Sequence, residues 1–362
     1  MSQDDVIDSI LGEDCTARVR ALRAEKPELG AQMQEYSDAL FRPSSDSGAA
    51  FSLADRLLVA IRTASHTRSN RVTDWYAARA DDVGVSSQEI QMAMDIHASW
   101  PDDHPLSAAM RHVDLVTTRP MESSRNDIDA LLESGLSPQG IVVLSQGRRV
   151  CVISGAAHCC AACIGSVMMS EPAFTLEFLN WVPWVPRAVD GDLSPRRREE
   201  IESFIAGKNA SDYLLVLAND FDSLQARALV HRHVYADEAD VTQAGYRELG
   251  ATTTSRINGC VFCASVHARH VANYLKNRPM AQRFLDEGIR TELPPVERAV
   301  VDVSAKLTND PEALTGADLA PLRALGFTDL QILDILNYAA FFANANRLML
   351  TLGEPEAQPK LH

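Results

Sequence analysis

The sequence predicts an all-α protein made of two related helical units, and three observations carry that prediction. Period-two alternation of β-branched residues is almost absent along the 362 residues, which removes the usual signal for strands. Apolar stripes at helical spacing recur instead, notably Leu53-Ala54-Asp55-Arg56-Leu57-Leu58-Val59-Ala60-Ile61 and Leu330-Gln331-Ile332-Leu333-Asp334-Ile335-Leu336-Asn337-Tyr338. Finally, Pro120–Gly135 lies on Pro311–Gly326 without a gap, matching Ser124 with Thr315, Asp127 with Asp318, Ile128 with Leu319 and Leu131 with Leu322. Two copies of one unit explain that correspondence.

The opening Met1-Ser2-Gln3-Asp4-Asp5 is acidic and has no apolar core, so the expectation is a cytoplasmic chain without a secretory leader. A helical N-terminal extension precedes the first unit. Val150–Met169 holds twenty residues without a formal charge, long enough to span a bilayer. It also contains Gly155, Gly165, two serines and His158, and no apolar neighbour pairs with it, so a membrane span is not expected. Asn180-Trp181-Val182-Pro183-Trp184-Val185-Pro186, followed by Asp190-Gly191-Asp192, cannot continue a helix. The boundary between domains is therefore placed at residues 1–189 and 190–362. Ser194-Pro195 and Leu293-Pro294-Pro295 start helices, since proline is tolerated in the first turn.

Apolar residues make up 46% and charged residues 23%, the profile of a globular chain. A formal charge of −15 excludes a nucleic-acid partner, because nothing would neutralise a phosphate backbone. The one basic cluster, Arg196-Arg197-Arg198, runs into Glu199-Glu200 and reads as a solvated helix start. Seven cysteines, at 15, 151, 159, 160, 163, 260 and 263, form no evenly spaced framework. In a reducing compartment such residues are catalytic, metal-binding or simply buried.

The chemistry concentrates between Arg247 and His267. Asn258-Gly259 is a turn pair that can start a helix at about Cys260, which places Cys260, Cys263 and His267 on one face at i, i+3 and i+7. A cysteine in the first turn feels the positive end of the helix, which favours its thiolate. His267 lies one turn beyond Cys263 and can relay its proton. Glu248, on the preceding helix, can fold back to orient the imidazole. A thiolate, a base and a second thiol in disulfide reach are what peroxide reduction requires.

At all four spaced positions, Glu248, Cys260, Cys263 and His267, the segment resembles the AhpD-like alkylhydroperoxidases of the carboxymuconolactone decarboxylase superfamily. The neighbouring Ala251-Thr252-Thr253-Thr254-Ser255-Arg256-Ile257-Asn258-Gly259 is similar to their peroxidase-related branch. The resemblance covers most of 190–353 and only weakly 50–190. It implies two tandem AhpD-like domains, the first degenerate and the second catalytic, in a homo-oligomer without cofactor or metal. It also implies that Cys263 attacks the peroxide, Cys260 resolves, Glu248 and His267 relay protons, and a dithiol or lipoyl-type protein reductant closes the cycle. Relatives with a histidine directly before the second cysteine differ here, where Phe262 stands.

Competing readings are a thiol–disulfide oxidoreductase or a redox-sensing assembly protein using the same pair. Cys260 and Cys263 could also be plain core residues, since free cysteine packs as a small hydrophobe. Zinc held by Cys260, Cys263, His267 and His270 is disfavoured because the four are strung along too much helix to close a tetrahedron. His231 and His233, two apart, are expected at the surface.

In the first unit, an offset two residues different puts Asp55, Thr67, Asn70 and Asp74 under Glu248, Cys260, Cys263 and His267, so no thiol chemistry is expected there. The second CxxC, Cys160–Cys163, has Arg148 and Val167 where the acid and histidine would stand. The abrupt change across Gly147–Gly165, where the second copy continues as an apolar helix, admits two readings. One is a displaced reading frame in the gene; the other is a helix of small residues and free cysteines.

Overall fold

The computed structural model describes residues 5–14, 16–42, 51–147, 172–191, 193–206, 211–235 and 241–358. The displaced-frame question, the uncharged stretch after Arg149, the second CxxC and Cys15 lie outside them. The described residues are overwhelmingly helical. None of their helices is long and apolar enough to cross a membrane.

The first half contains α1 (Val6–Leu11), α2 (Ala17–Ala24), α3 (Pro27–Phe41), α4 (Leu53–His66), α5 (Asn70–Asp82), α6 (Ser87–Met94), α7 (Ser107–Thr118), α8 (Arg125–Glu133) and α9 (Pro138–Gly147). After β1 (Leu179–Pro183) come α10 (Pro195–Ile205), α11 (Asp212–Leu217), α12 (Phe221–Tyr235), α13 (Val241–Ile257) and α14 (Val261–Tyr274). α15 (Arg278–Glu287), α16 (Pro295–Asn309), α17 (Gly316–Ala324), α18 (Asp329–Thr351) and β2 (Gly353–Ala357) complete the chain.

Local chemistry fixes many of these starts. Ser52 with Asp55, Ser86 with Glu89, Ser124 with Asp127, Thr315 with Asp318 and Thr328 with Gln331 each form a reciprocal capping box. Pro195 and Pro295 occupy first-turn positions, where the missing N–H costs nothing. The Arg196–Arg198 cluster is indeed a charged helix start, with Arg196 paired to Glu200 at 2.9 Å and largely exposed.

No alternation announces the two short strands. β1 pairs antiparallel with β2, Leu179 opposite Ala357 and Pro183 opposite Gly353. Gly353 is required there: a Cβ would collide with the Trp181 ring and the Val182 carbonyl oxygen. The Trp181 indole N–H donates to the Met349 carbonyl at 2.9 Å, so the ladder also anchors the end of α18.

Two helices are buried nearly all round. In α4, Leu57, Leu58, Val59, Ala60 and Ile61 are all at most 2% exposed, and each large apolar side chain so buried contributes about 1.5–3 kcal/mol. α13 buries Thr252, Thr253, Thr254 and Ser255 instead. Thr252 and Thr253 donate to the carbonyls of Glu248 and Leu249, each at 2.8 Å, and Thr254 bonds Thr308 at 2.9 Å. Satisfied in this way, a polar run can occupy a core. α13 packs against α14, α16 and α18.

One apolar core extends through both halves and includes Leu57, Ile141, Leu224, Cys260 and Phe342. A second centres on α13–α18 around Phe284, Val301 and Ile335, with Leu176 joining it from the segment before β1. α12 packs along α3, and Lys26 reaches Asp334 at 2.5 Å.

Element starts recur at a spacing of 191 residues: Asn70 and Val261, Ser87 and Arg278, Pro120 and Pro311, Arg125 and Gly316, Pro138 and Asp329. Positive φ recurs likewise at Arg68 (58°) and Gly259 (74°), and at Gly135 (93°) and Gly326 (92°). The same spacing holds at the α4–α5 turn, so the offset expected there needs correcting. At that spacing Glu248, Cys260, Cys263 and His267 fall on Leu57, Ser69, Val72 and Tyr76, not on Asp55, Thr67, Asn70 and Asp74. Ser69 and Cys260 even share their backbone conformation, φ −83°, ψ 86° against φ −80°, ψ 91°. Asp55 is spent on the cap of its own helix.

Candidate active site

The turn between α13 and α14 sets the thiols. Gly259 takes φ 74°, a region that L side chains rarely adopt, and a Cβ there would also collide with Met121 of the first half. Asn258 donates its side-chain N–H to the Asn346 side-chain oxygen at 3.0 Å, and Asn346 donates to Ser255 at 3.0 Å. These two bonds pin the turn to α18. The Cys260 N–H donates to the Ser255 carbonyl at 2.9 Å.

Cys260 is the residue before α14 and not its first member, and its thiol lies within hydrogen-bond reach of Cys263. Cys263 sits in the first turn, where the exposed N–H groups and the dipole favour negative charge. Both sulfurs are free thiols. A cavity of about 590 Å³ opens beside the helix, lined by Cys263 and His267 but not by Cys260. Burial, then the hydrogen bond and charge of neighbouring Cys263, push the Cys260 thiol well above its ordinary range.

Glu248, on α13, is 3% exposed and accepts three hydrogen bonds. Its Oε2 lies 2.6 Å from His267 Nδ1, and its Oε1 lies 3.1 Å from His270 Nδ1 and 2.7 Å from the Tyr338 hydroxyl. Burial alone would raise this carboxyl. The charge and hydrogen bond of His267, then those of His270, more than reverse that and hold it at about 2, below the ordinary 4.5. The ionised carboxylate accepts a hydrogen bond from the Nδ1–H of His267, so in the neutral ring Nε2 is the accepting nitrogen.

The four sequence-chosen residues thus fall in one place. Glu248 and His267 touch directly, and Cys263 shares the cavity with His267. Sequence reasoning missed His270 and Tyr338 as partners of Glu248. His270 was legible, one turn from His267 on the same face; Tyr338, ninety residues from Glu248, has no local signal. His231, expected at the surface, is half-buried on the cavity wall, together with Arg227. Among the described residues no three His, Cys, Asp or Glu side chains converge as metal ligands would.

No protein-family model matches the chain, and no curated protein does. Among solved structures, it is similar to the alkylhydroperoxidase AhpD core of an uncharacterised peroxidase-related protein from Ralstonia eutropha JMP134. Identity is 27%, the TM-score is 0.38, and the match covers 45% of this chain and 85% of that one.

Proposed function

We propose that the chain is a thiol peroxidase of the AhpD-like kind, with Cys263 as the attacking and Cys260 as the resolving thiol. The observation that carries this reading is the division of the pair: Cys263 faces the cavity beside His267, and Cys260 is shut behind it. A substrate in the cavity meets one sulfur only.

His267, oriented by Glu248, takes the Cys263 proton. The thiolate attacks the terminal oxygen of a hydroperoxide; an S–O bond forms, the O–O bond breaks, and sulfur gives up two electrons. The departing alkoxide receives the proton from His267 and leaves as an alcohol. Once Cys263 is an uncharged sulfenic acid, its charge no longer adds to the burial that keeps Cys260 a thiol. Cys260 then loses its proton to His267 and attacks the Cys263 sulfur, forming the disulfide. The displaced hydroxide takes that proton and leaves as water. A dithiol, of lipoyl type in this proposal, reduces the disulfide by exchange and is itself oxidised.

The recurring element starts support descent of both halves from one unit, with residues 1–189 and 190–362 as the two copies. In the first, Ser69, Val72, Tyr76 and Leu57 can supply neither the nucleophile nor the relay. A homo-oligomer belongs to the same proposal.

The deciding experiment titrates free thiols anaerobically before and after one equivalent of cumene hydroperoxide, with peptide mass spectrometry. Loss of two thiols as a Cys260–Cys263 disulfide, with catalytic turnover under excess dithiol, is expected. Unchanged thiols would refute a peroxidase. Reduction of disulfide substrates without peroxide consumption would assign the pair to thiol–disulfide exchange instead.

A further inference from the structure

The cavity beside Cys263 has an uneven chemistry. Its walls are largely apolar, with Leu214, Leu224, Val266, Phe342 and Met349 among them. Among the described residues its formally charged lining members are Arg227 and Arg232, with no aspartate or glutamate beside them. That is unexpected in a chain with 49 acidic residues against 34 basic ones. A recess whose described lining carries two guanidinium groups concentrates anions and turns away cations.

The cations come from one helix face. Leu224, Arg227, Ala228, His231 and Arg232 on α12 fall at i, i+3, i+4, i+7 and i+8, the spacing that aligns side chains on one side. Arg227 is 6% exposed, so its guanidinium is held in a largely dry wall. Its central carbon lies 4.8 Å from the Phe341 ring centroid and 5.7 Å from that of Tyr213, and one Nη is 3.4 Å from the Tyr213 hydroxyl. Stacking on two aromatic rings fixes the plane of the guanidinium, which favours a planar, two-oxygen partner. Arg232 is exposed on the same face, and His231 stacks on Phe341 at 5.3 Å.

From this lining we infer that the cavity takes an amphiphilic hydroperoxide with a carboxylate head, a fatty-acid hydroperoxide. Arg227 receives the carboxylate, and the apolar walls receive the chain that presents its peroxide to Cys263. The volume, about 590 Å³, lies within the range of roughly 300–1,000 Å³ common for organic ligands. The substrate assignment rests on the peroxidase reading; the carboxylate site itself does not.

The experiment has two arms. In the first, kcat/KM is measured for linoleic acid hydroperoxide, its methyl ester and cumene hydroperoxide with excess dithiol. The acid should exceed the ester by roughly tenfold or more, the usual weight of a charged hydrogen bond. Arg227→Gln should erase that preference, read as the ratio of acid to ester within the one protein, and the exposed Arg232→Gln should narrow it without risk to the core. In the second arm, laurate and methyl laurate are compared as protectants of Cys263 against N-ethylmaleimide, read by peptide mass spectrometry. Laurate should protect, the ester should not, and Arg227→Gln should abolish the difference. Equal rates for acid and ester would overturn the substrate inference and leave a peroxidase. Arg227-dependent protection by laurate without turnover of any hydroperoxide would keep the carboxylate site and refute the peroxidase. Absence of both turnover and protection would overturn both.

Discussion

Replacing Glu248 by Gln removes a negative charge that three donors surround, and its effect on stability should itself depend on pH. The carboxyl is held at about 2 in the folded chain against an ordinary 4.5, a difference equivalent to about 3 kcal/mol. The sign follows from the direction. A depressed pKa stabilises the fold above the unfolded value, and that contribution fades as pH falls towards the folded one. Urea unfolding of the wild type and Glu248→Gln, followed from about pH 7 to about pH 2, should therefore show the variant less stable at neutrality. The gap should close by about 3 kcal/mol between about pH 4.5 and about pH 2, where the unfolded wild type takes up a proton that the folded carboxyl still lacks. Asp114 and Asp318 also titrate with depressed pKa values, so the difference between the two proteins is the quantity to read. A gap that stays constant across the acid range would refute the ion-pair account of Glu248. In the peroxide assay the same variant should lose roughly 10²-fold, the usual scale for one proton-transfer participant; an unchanged pH–rate profile would remove Glu248 from the relay.

Cys263→Ser should abolish peroxide reduction, whereas Cys260→Ser should leave a sulfenic acid on Cys263 that dimedone traps; label on Cys260 alone in the wild type would reverse the roles. Tyr338→Phe withdraws one donor from a buried carboxylate and should cost about 1.5–3 kcal/mol, checked by urea midpoint. Gly259→Ala should cost at least about 1–2 kcal/mol from the left-handed backbone alone, and Met121→Ala in the same chain should recover the part due to collision. Strict additivity of those two substitutions would show that Met121 does not press on the turn. Ser69→Ala should leave turnover per Cys263 within a few-fold; a complete loss in a folded protein would make the first half a participant.

The helical class and the thiol segment were legible because both are written locally. Apolar spacing marks α4 and α18, and the capping boxes mark their starts. Asn258-Gly259 marks the turn that presents the thiols. What was hidden depends on distant contacts. Tyr338 reaches Glu248 across the fold, and β1 pairs with residues near the end of the described chain through strands that contain Pro183 and Pro355. His231 was expected at the surface because nothing local announces that α14 and α18 close a cavity against it. The two-residue error in aligning α4 with α13 arose because matching Asp55-Arg56-Leu57 to Glu248-Leu249-Gly250 weighed residue type. Backbone conformation, the positive φ shared by Arg68 and Gly259, sets the true register.

The packing of α12 along α3 makes the two halves thermodynamic hostages of each other. α12 follows β1 in the chain yet rests on a helix from its first forty-one residues, and one core runs beneath both. Pulling either half away would bare an apolar helix face, so local opening of one lowers the stability of the other. Heat or urea should meet a single cooperative transition rather than two. Slow hydrogen exchange at the thiol turn should then report on the folding of α3, far from it in sequence.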